Sequence, residues 1–208
     1  YAEQYPLMDK KIWEYNPLNP QQLKDYDVSS YCYRHSRRDW KVSAYDKGYG
    51  INYDGDSRKP EYLIDGEKKT NWSSGKINDK PLELPYYIIF DLNKVSDIDG
   101  VYLANGYSNQ CLADVHVEYI GSEVADPYDI NAPWETLLQV TDPNVVRANL
   151  KNERFFDCPR TQARYLRLKI SNPNTIVFKS DSDLTEEEKA NQKKYHSFAE
   201  FGTYYKKP

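Results

Sequence analysis

The chain has 208 residues, with 28 Lys and Arg against 32 Asp and Glu and a formal net charge of −4. The charges are interspersed rather than gathered into a basic stripe, which argues against nucleic acid as a partner. No apolar run approaches the roughly 18 residues a membrane helix needs, so no membrane insertion is expected, and the length suits one large domain or a domain with an appendage.

In chain order, residues 1–38 stand apart. They carry three prolines, no glycine and no sustained hydrophobic period, and read as a linker or as an extended arm lying against a domain. The cluster Arg34, His35, Arg37 and Arg38 reads as a solvated basic patch, with anion binding as the alternative. The chain starts at Tyr1 and shows no leader, so a mature or trimmed product is expected.

From residue 39 to 208 the pattern is that of a β domain. "DWKVSAY" is a short strand, "YYIIFDL" (86–92) a nearly continuous apolar run fit for a central strand, and "IDGVYLA" (98–104) follows after a polar break. "DVHVEYI" alternates, with Val115, Val117 and Tyr119 on one face and His116 and Glu118 on the other. "WETLLQV", "NERFFD" and "ARYLRLKI" come next; in the last, Leu166, Leu168 and Ile170 share one face and Tyr165, Arg167 and Lys169 the other. "SFAEFGTYY" closes the series. About eight short strands separated by Gly, Pro, Asn and Asp indicate an all-β, antiparallel sandwich. Residues 181–196, "DSDLTEEEKANQKKYH", break the pattern. Thr185 and Glu188 have the spacing of a capping box and acids lead lysines, which suits a helix dipole, so one short exposed helix is expected in a loop insertion.

Composition adds two points. Tyrosine is abundant, 20 residues against a single Met; the phenol suits contact surfaces, and its strand propensity explains most of the excess. The three cysteines, Cys32, Cys111 and Cys158, have no metal-site spacing. Cys111 with Cys158 is the candidate disulfide pair, against buried free thiols.

The stretch "PEYLIDGEKKTNWSS" carries the chemistry. Asp65-Gly66 marks a tight turn. Its inward carbonyls, the Asp65 carboxylate and the Thr70 hydroxyl make an oxygen-lined cup of the kind calcium accepts. That cup is short of charge, and Glu200, alone among apolar neighbours in the closing strand, is the candidate second carboxylate, since a buried acid needs a partner; the alternative from local spacing is a tight turn without a metal.

The order "YLIDGEKKTNW", "YYIIFDL", "DIDGVYLA", "ARYLRLKI" and "FAEFGTYY" resembles the discoidin domains, also called coagulation factor V/VIII type C domains, which include the family 32 carbohydrate-binding modules. The resemblance covers about residues 39 to 206 and leaves the amino-terminal arm outside. It implies a galactose-binding-like jelly roll and one structural calcium ion, held by the backbone oxygens of Tyr62, Glu67, Thr70 and Ala199 and side-chain oxygens of Asp65, Thr70 and Glu200. Sodium, or a Lys hydrogen bond in place of any ion, is the alternative.

Galactose-binding members use a His just after the Thr-x-Trp motif and an Arg after the Gly-x-x-Leu strand. Ser73 and Gly106 stand at those positions here, so neither anchor is present. Ser73 itself, with Tyr107, Asn109, Gln110, Phe178 and Tyr195, offers a different glycan platform at the same end. No Gly-x-Ser-x-Gly, HExxH, Walker or GxGxxG pattern appears, and the family resembled is non-catalytic. The expectation is a calcium-stabilised, non-enzymatic glycan-binding module of an exported bacterial surface or periplasmic protein, lipid-anchored through a missing amino terminus in one version. The alternative is a protein-interaction or spacer module contacting other domains of the same protein.

Overall fold

A computed structural model of the chain describes residues 2–6, 32–45, 58–77, 80–106, 112–129, 131–141, 153–174 and 183–206. The described strands are β1 (Ala2–Pro6), β2 (Cys32–His35), β3 (Lys41–Tyr45), β4 (Trp72–Ser73), β5 (Lys76–Ile77), β6 (Lys80–Pro81), β7 (Tyr86–Asn105), β8 (Val115–Ile120), β9 (Glu135–Val140), β10 (Glu153–Ile170) and β11 (Ser197–Lys206). Nine of them form one hydrogen-bonded antiparallel network in the order β1-β2-β11-β7-β10-β8-β9, with β3 added on β7 and β4 on β11; β5 and β6 pair separately.

Two strands make this network a sandwich. The apolar runs 86–92 and 98–104, separated by a polar break in sequence, are the two ends of the 20-residue β7. "NERFFD" and "ARYLRLKI" are likewise the two ends of the 18-residue β10. Residues 86–91 of β7 lie between β3 and residues 165–170 of β10, whereas residues 98–105 lie beside β11 and residues 153–161 of β10. The register between β7 and β10 shifts after Asp157 and again after Ala163. Such irregularities bend a strand and increase its twist, so β7 and β10 pass from one layer to the other. Phe90 of one layer stacks on Phe201 of the other at 4.2 Å between ring centroids.

The alternation read from sequence is the alternation in space. Val115, Val117, Leu166, Leu168 and Ile170 belong to the core cluster, with Tyr119 packed against it. The opposite face of the same strands is closed by charge. The Arg167 guanidinium lies 4.6 Å from the Tyr87 ring centroid and 4.5 Å from that of Trp134 and donates to Glu118 Oε2 at 2.6 Å. Arg164 joins Asp91 and Glu123.

The second layer uses a different device. Gly202 is paired with Tyr102 and Gly100 with Tyr204 across β11 and β7. A Cβ on Gly202 would lie 2.3 Å from the Tyr102 ring, and one on Gly100 2.3 Å from that of Tyr204. Each phenol ring therefore fills the space its glycine partner leaves, which pins the register.

The amino-terminal residues extend this layer. In β2, Tyr33 and Arg34 pair with Tyr205 and Tyr204 of β11, Tyr33 stacks on Tyr205, and β1 pairs with β2. Four paired residues without an apolar period leave no strand signature in sequence. The expected helix forms as α1 (Glu186–Gln192), with the reciprocal Thr185–Glu188 capping box and no buried residue. Cys158 is a free thiol, pushed up to about 12 by burial, with Asp99 and Asp157 adding to the effect. Its candidate partner Cys111 lies outside the described residues.

Candidate functional site

The turn at the start of the domain is built as its sequence requires. A 3-10 turn over Pro60–Leu63 delivers the chain into Asp65-Gly66, and Gly66 takes φ +82, a left-handed value that glycine adopts without strain. Asp65 Oδ1 accepts from the Glu67 amide at 2.8 Å and Oδ2 from the Thr70 hydroxyl at 2.7 Å. Thr70 Oγ1 also lies 2.7 Å from the Glu67 carbonyl. Asp65, Glu67 and Thr70 thus converge in one small oxygen cluster.

Glu200 meets this cluster from the closing strand. Its side chain is buried, and its carboxyl is raised to about 7, first by burial and further by the neighbouring Asp65 carboxylate, against the opposing pull of Arg37. Glu200 Oε1 is buried with no hydrogen-bond partner among the described residues. Next to it the register of β11 against β7 slips between Phe198 and Glu200, which leaves Ala199 as the extra residue of a bulge. Tyr62 lies on the 3-10 turn beneath. Two carboxylates, one with an orphaned buried oxygen, and carbonyl-bearing turn residues fit a hard cation. Among the described residues no group of three or more His, Cys, Asp and Glu stands together as metal ligands, so backbone oxygens would complete any such set.

Arg37 is the group that sequence reasoning missed. Read as part of a solvated patch, it is an internal ion-pair partner instead. Its Nη1 donates to Glu200 Oε2, to the Phe201 carbonyl at 2.9 Å and to the Leu63 carbonyl at 3.2 Å. One guanidinium therefore ties the segment before β3 to the 3-10 turn and to β11. A weak signal existed: Arg37 lies three residues before Trp40, the first core aromatic of the domain.

The second part of the site is the apical rim, the end where β4, the end of β7 and the start of β11 meet. A polar network forms its floor. Asn71 Nδ2 donates to Ser197 Oγ at 2.6 Å and to Ser73 Oγ at 3.2 Å, and Ser197 Oγ donates to the Trp72 carbonyl at 2.7 Å. Arg58 donates to Asn71 Oδ1 at 2.6 Å. His196, fully buried, has Nε2 3.0 Å from the Asn172 carbonyl and Nδ1 against the Tyr86 hydroxyl. Burial holds this imidazole down at about 4, so it is neutral at physiological pH.

Of the rim candidates, Ser73 is buried and its hydroxyl is engaged with Asn71, so it belongs to the floor. Tyr195 is half-buried at the rim, its carbonyl held by Asn174 Nδ2 at 2.5 Å. Tyr107, Asn109, Gln110 and Phe178 lie outside the described residues. Gly106 donates to the Ser197 carbonyl at 3.2 Å, and a Cβ there would come within 2.4 Å of Ser197 Oγ. The position where the resemblance expects an Arg is closed by packing.

The three histidines each meet a hydroxyl: His35 with Thr203, His116 with Thr136, His196 with Tyr86. Thr203 and Tyr86 are fully buried, whereas the His116 pair lies on an open sheet face.

Comparison with known proteins agrees with this fold. The F5/8 type C domain family matches residues 41–180. A Clostridium perfringens module, CpGH89CBM32-5, solved in complex with GalNAc-β-1,3-galactose, is similar in structure at 15% identity and TM-score 0.53, over 81% of this chain and 96% of that one. The family 32 module of C. perfringens NanJ, solved with galactose, is similar at 16% identity and TM-score 0.52, over 82% and 96%. The C-terminal domain of a Bacteroides fragilis chitobiase is similar at 21% identity and TM-score 0.54, over 84% and 99%. None of the curated proteins matches.

The neutral His196 makes stability pH-dependent in a defined sense. Its folded value is depressed from 6.5 to about 4, so the unfolded chain takes up a proton in that window and the folded chain refuses it. Its contribution is complete above pH 6.5 and falls as pH drops toward 4. Denaturant midpoints measured across this range should decline on the acid side in the native protein and decline less in His196→Gln; equal declines would refute the assignment.

Proposed function

The chain belongs to the F5/8 type C domain family, and on that premise we propose that it is a non-catalytic carbohydrate-binding module that takes glycans at its apical rim. The observation that carries the reading is the rigid floor beneath that rim. Asn71, Ser73, Ser197 and His196 are buried and bonded to one another or to backbone, and the backbone carbonyl of Tyr195, next to His196 in the chain, is held by Asn174. A fixed floor lets an aromatic ring stack on the apolar face of a sugar at little entropic cost. Tyr107, Asn109, Gln110 and Phe178 supply the remaining contacts in this reading. With Gly106 closed to a side chain, selectivity differs from that of an Arg-anchored galactose site. That closure also favours the second reading, a protein-interaction or spacer module using the same tyrosine-bearing rim. The module serves an exported bacterial surface protein, consistent with the bacterial sources of the similar structures.

A structural calcium ion is part of the proposal. Asp65, Thr70 and Glu200 would hold it with their side chains, and Tyr62, Glu67, Thr70 and Ala199 with backbone oxygens. Bound there, calcium would supply the positive charge that Asp65 and the orphaned Glu200 Oε1 lack. Arg37 already neutralises the other Glu200 oxygen, so the ion adds to a junction that is closed on one side.

Two experiments test these readings. Calcium at about 100 times its dissociation constant should stabilise by about 2.7 kcal/mol, at roughly 2–4 °C per kcal/mol for a domain of this size. Asp65→Ala should melt lower and lose the calcium response; identical melting curves of the native protein in calcium and in chelator would contradict the ion. A glycan array with and without calcium should give a signal that Tyr195→Ala and Tyr107→Ala each weaken without loss of folding. A silent array across plant, host and microbial glycans would favour the interaction module.

A further inference from the structure

A second concavity lies at the end of the sandwich away from the rim. It is a cavity of about 380 Å³ where the bend of β7 meets the end of β11 and the link between β2 and β3. Tyr205, at its wall, lies eight residue steps along β11 from Ser197, at the rim, which at about 3.3 Å per step is roughly 26 Å. The two places are therefore independent, and nothing in the rim proposal bears on this one.

Three observations converge there. The first is the cavity, of a size that takes a small ligand. The second is Asn93, a non-glycine residue in the left-handed region at φ 66, its amide tied to Asp91 Oδ1 at 2.7 Å; backbone of this kind gathers at binding sites. The third is Val95, at 45% exposure the one large hydrophobic exposed among the described residues, which stands in the wall of the same cavity.

The chemistry of the wall selects the ligand. Val95 gives exposed apolar surface, backed by the largely buried Trp40 and Leu92, and Ser36, Ser96 and Asn93 give uncharged groups able to donate and accept. Asp39 and Asp97 add two carboxylates against the single ammonium of Lys94. That balance repels an anion, and the polar share is too large for a lipid chain or an apolar ring. An apolar side chain set among groups able to donate and accept suits one face of a pyranose. We propose that this cavity is a second ligand site, taking one neutral or amino-bearing sugar unit. His35 supports the uncharged part of the wall: burial and the nearby Lys94 hold it at about 4, as a neutral imidazole whose Nδ1 is 2.8 Å from Thr203 Oγ1.

The test is a titration of the isotopically labelled chain with N-acetylglucosamine, glucosamine and galactose, with glucuronic acid as the anionic control, followed by amide and indole NMR shifts. Saturable shifts of the Asn93 to Asp97 amides and the Trp40 indole are expected with at least one of the first three sugars and not with glucuronic acid. Asp97→Ala and Asp39→Ala, on separate elements and both exposed, should each weaken that response about tenfold, the worth of one hydrogen bond to a charged group. Tyr195→Ala should leave it unchanged. No saturable shift at these positions with any of the three sugars, or shifts indifferent to both Asp variants, would overturn the site. Shifts here with silence around Ser73 and Ser197 would instead sink the rim reading and leave this one standing.

Discussion

A buried carboxylate at the closing strand is the constraint on which this structure turns. Glu200 sits 1% exposed in β11, and an acid in that position is destabilising unless a cation or donors meet it. The chain meets it with Arg37, drawn from outside the family-matched residues, and the same guanidinium also takes the Leu63 carbonyl. Three segments distant in sequence are thereby tied at one point: the entry to the domain, the turn carrying Asp65, and the last strand. Losing one partner of such a pair costs about 3–5 kcal/mol, mostly because the other charge stays buried. The junction thus sets where the Asp65 turn lies and leaves Glu200 Oε1 facing it, which is what gives an ion a reason to bind.

The two ends of the sandwich inherit their shapes from the long strands. Because β7 and β10 cross from layer to layer, the residues where they bend gather at one end and their free ends gather at the other. The rim is made of termini of strands, floored by a hydrogen-bonded network. The opposite cavity is made by the bend itself, which turns Asn93 into the left-handed region and leaves Val95 in the open. Between them, the Tyr102–Gly202 and Tyr204–Gly100 pairs and the Arg164 and Arg167 ion pairs close the two sheet faces. That leaves the ends as the places where ligand chemistry has room.

Much of the fold was legible because it follows from period and turn chemistry. Val115 and Val117, and Leu166, Leu168 and Ile170, alternate in sequence and pack together in the core. Thr185 and Glu188 form the capping box their spacing implies. The Asp65-Gly66 turn forms because glycine suits its backbone angle. What stayed hidden depended on partners far away in the chain. The polar residues 93–97 look like a loop between two strands, but β10 pairs along both sides of them and makes β7 continuous. Arg37 looks like one member of a solvated basic patch until β11 brings Glu200 to it. Ser73 looks like a rim residue, yet Asn71 turns its hydroxyl inward. Gly106 looks permissive, and only the approach of Ser197 shows that nothing larger fits.

The account stands on the coupling of Arg37 to Glu200, and a double-mutant cycle in chelator, with any metal withdrawn, measures it directly. Arg37→Gln and Glu200→Gln should each destabilise the protein, and the double variant should lose less than their sum, with an interaction of at least 1 kcal/mol, inside the roughly 0.5–3 kcal/mol range of contacting residues. Losses that add to within about 0.5 kcal/mol would show that the guanidinium and the carboxylate are not partners. The junction that ties the entry segment, the Asp65 turn and β11 would then be wrong.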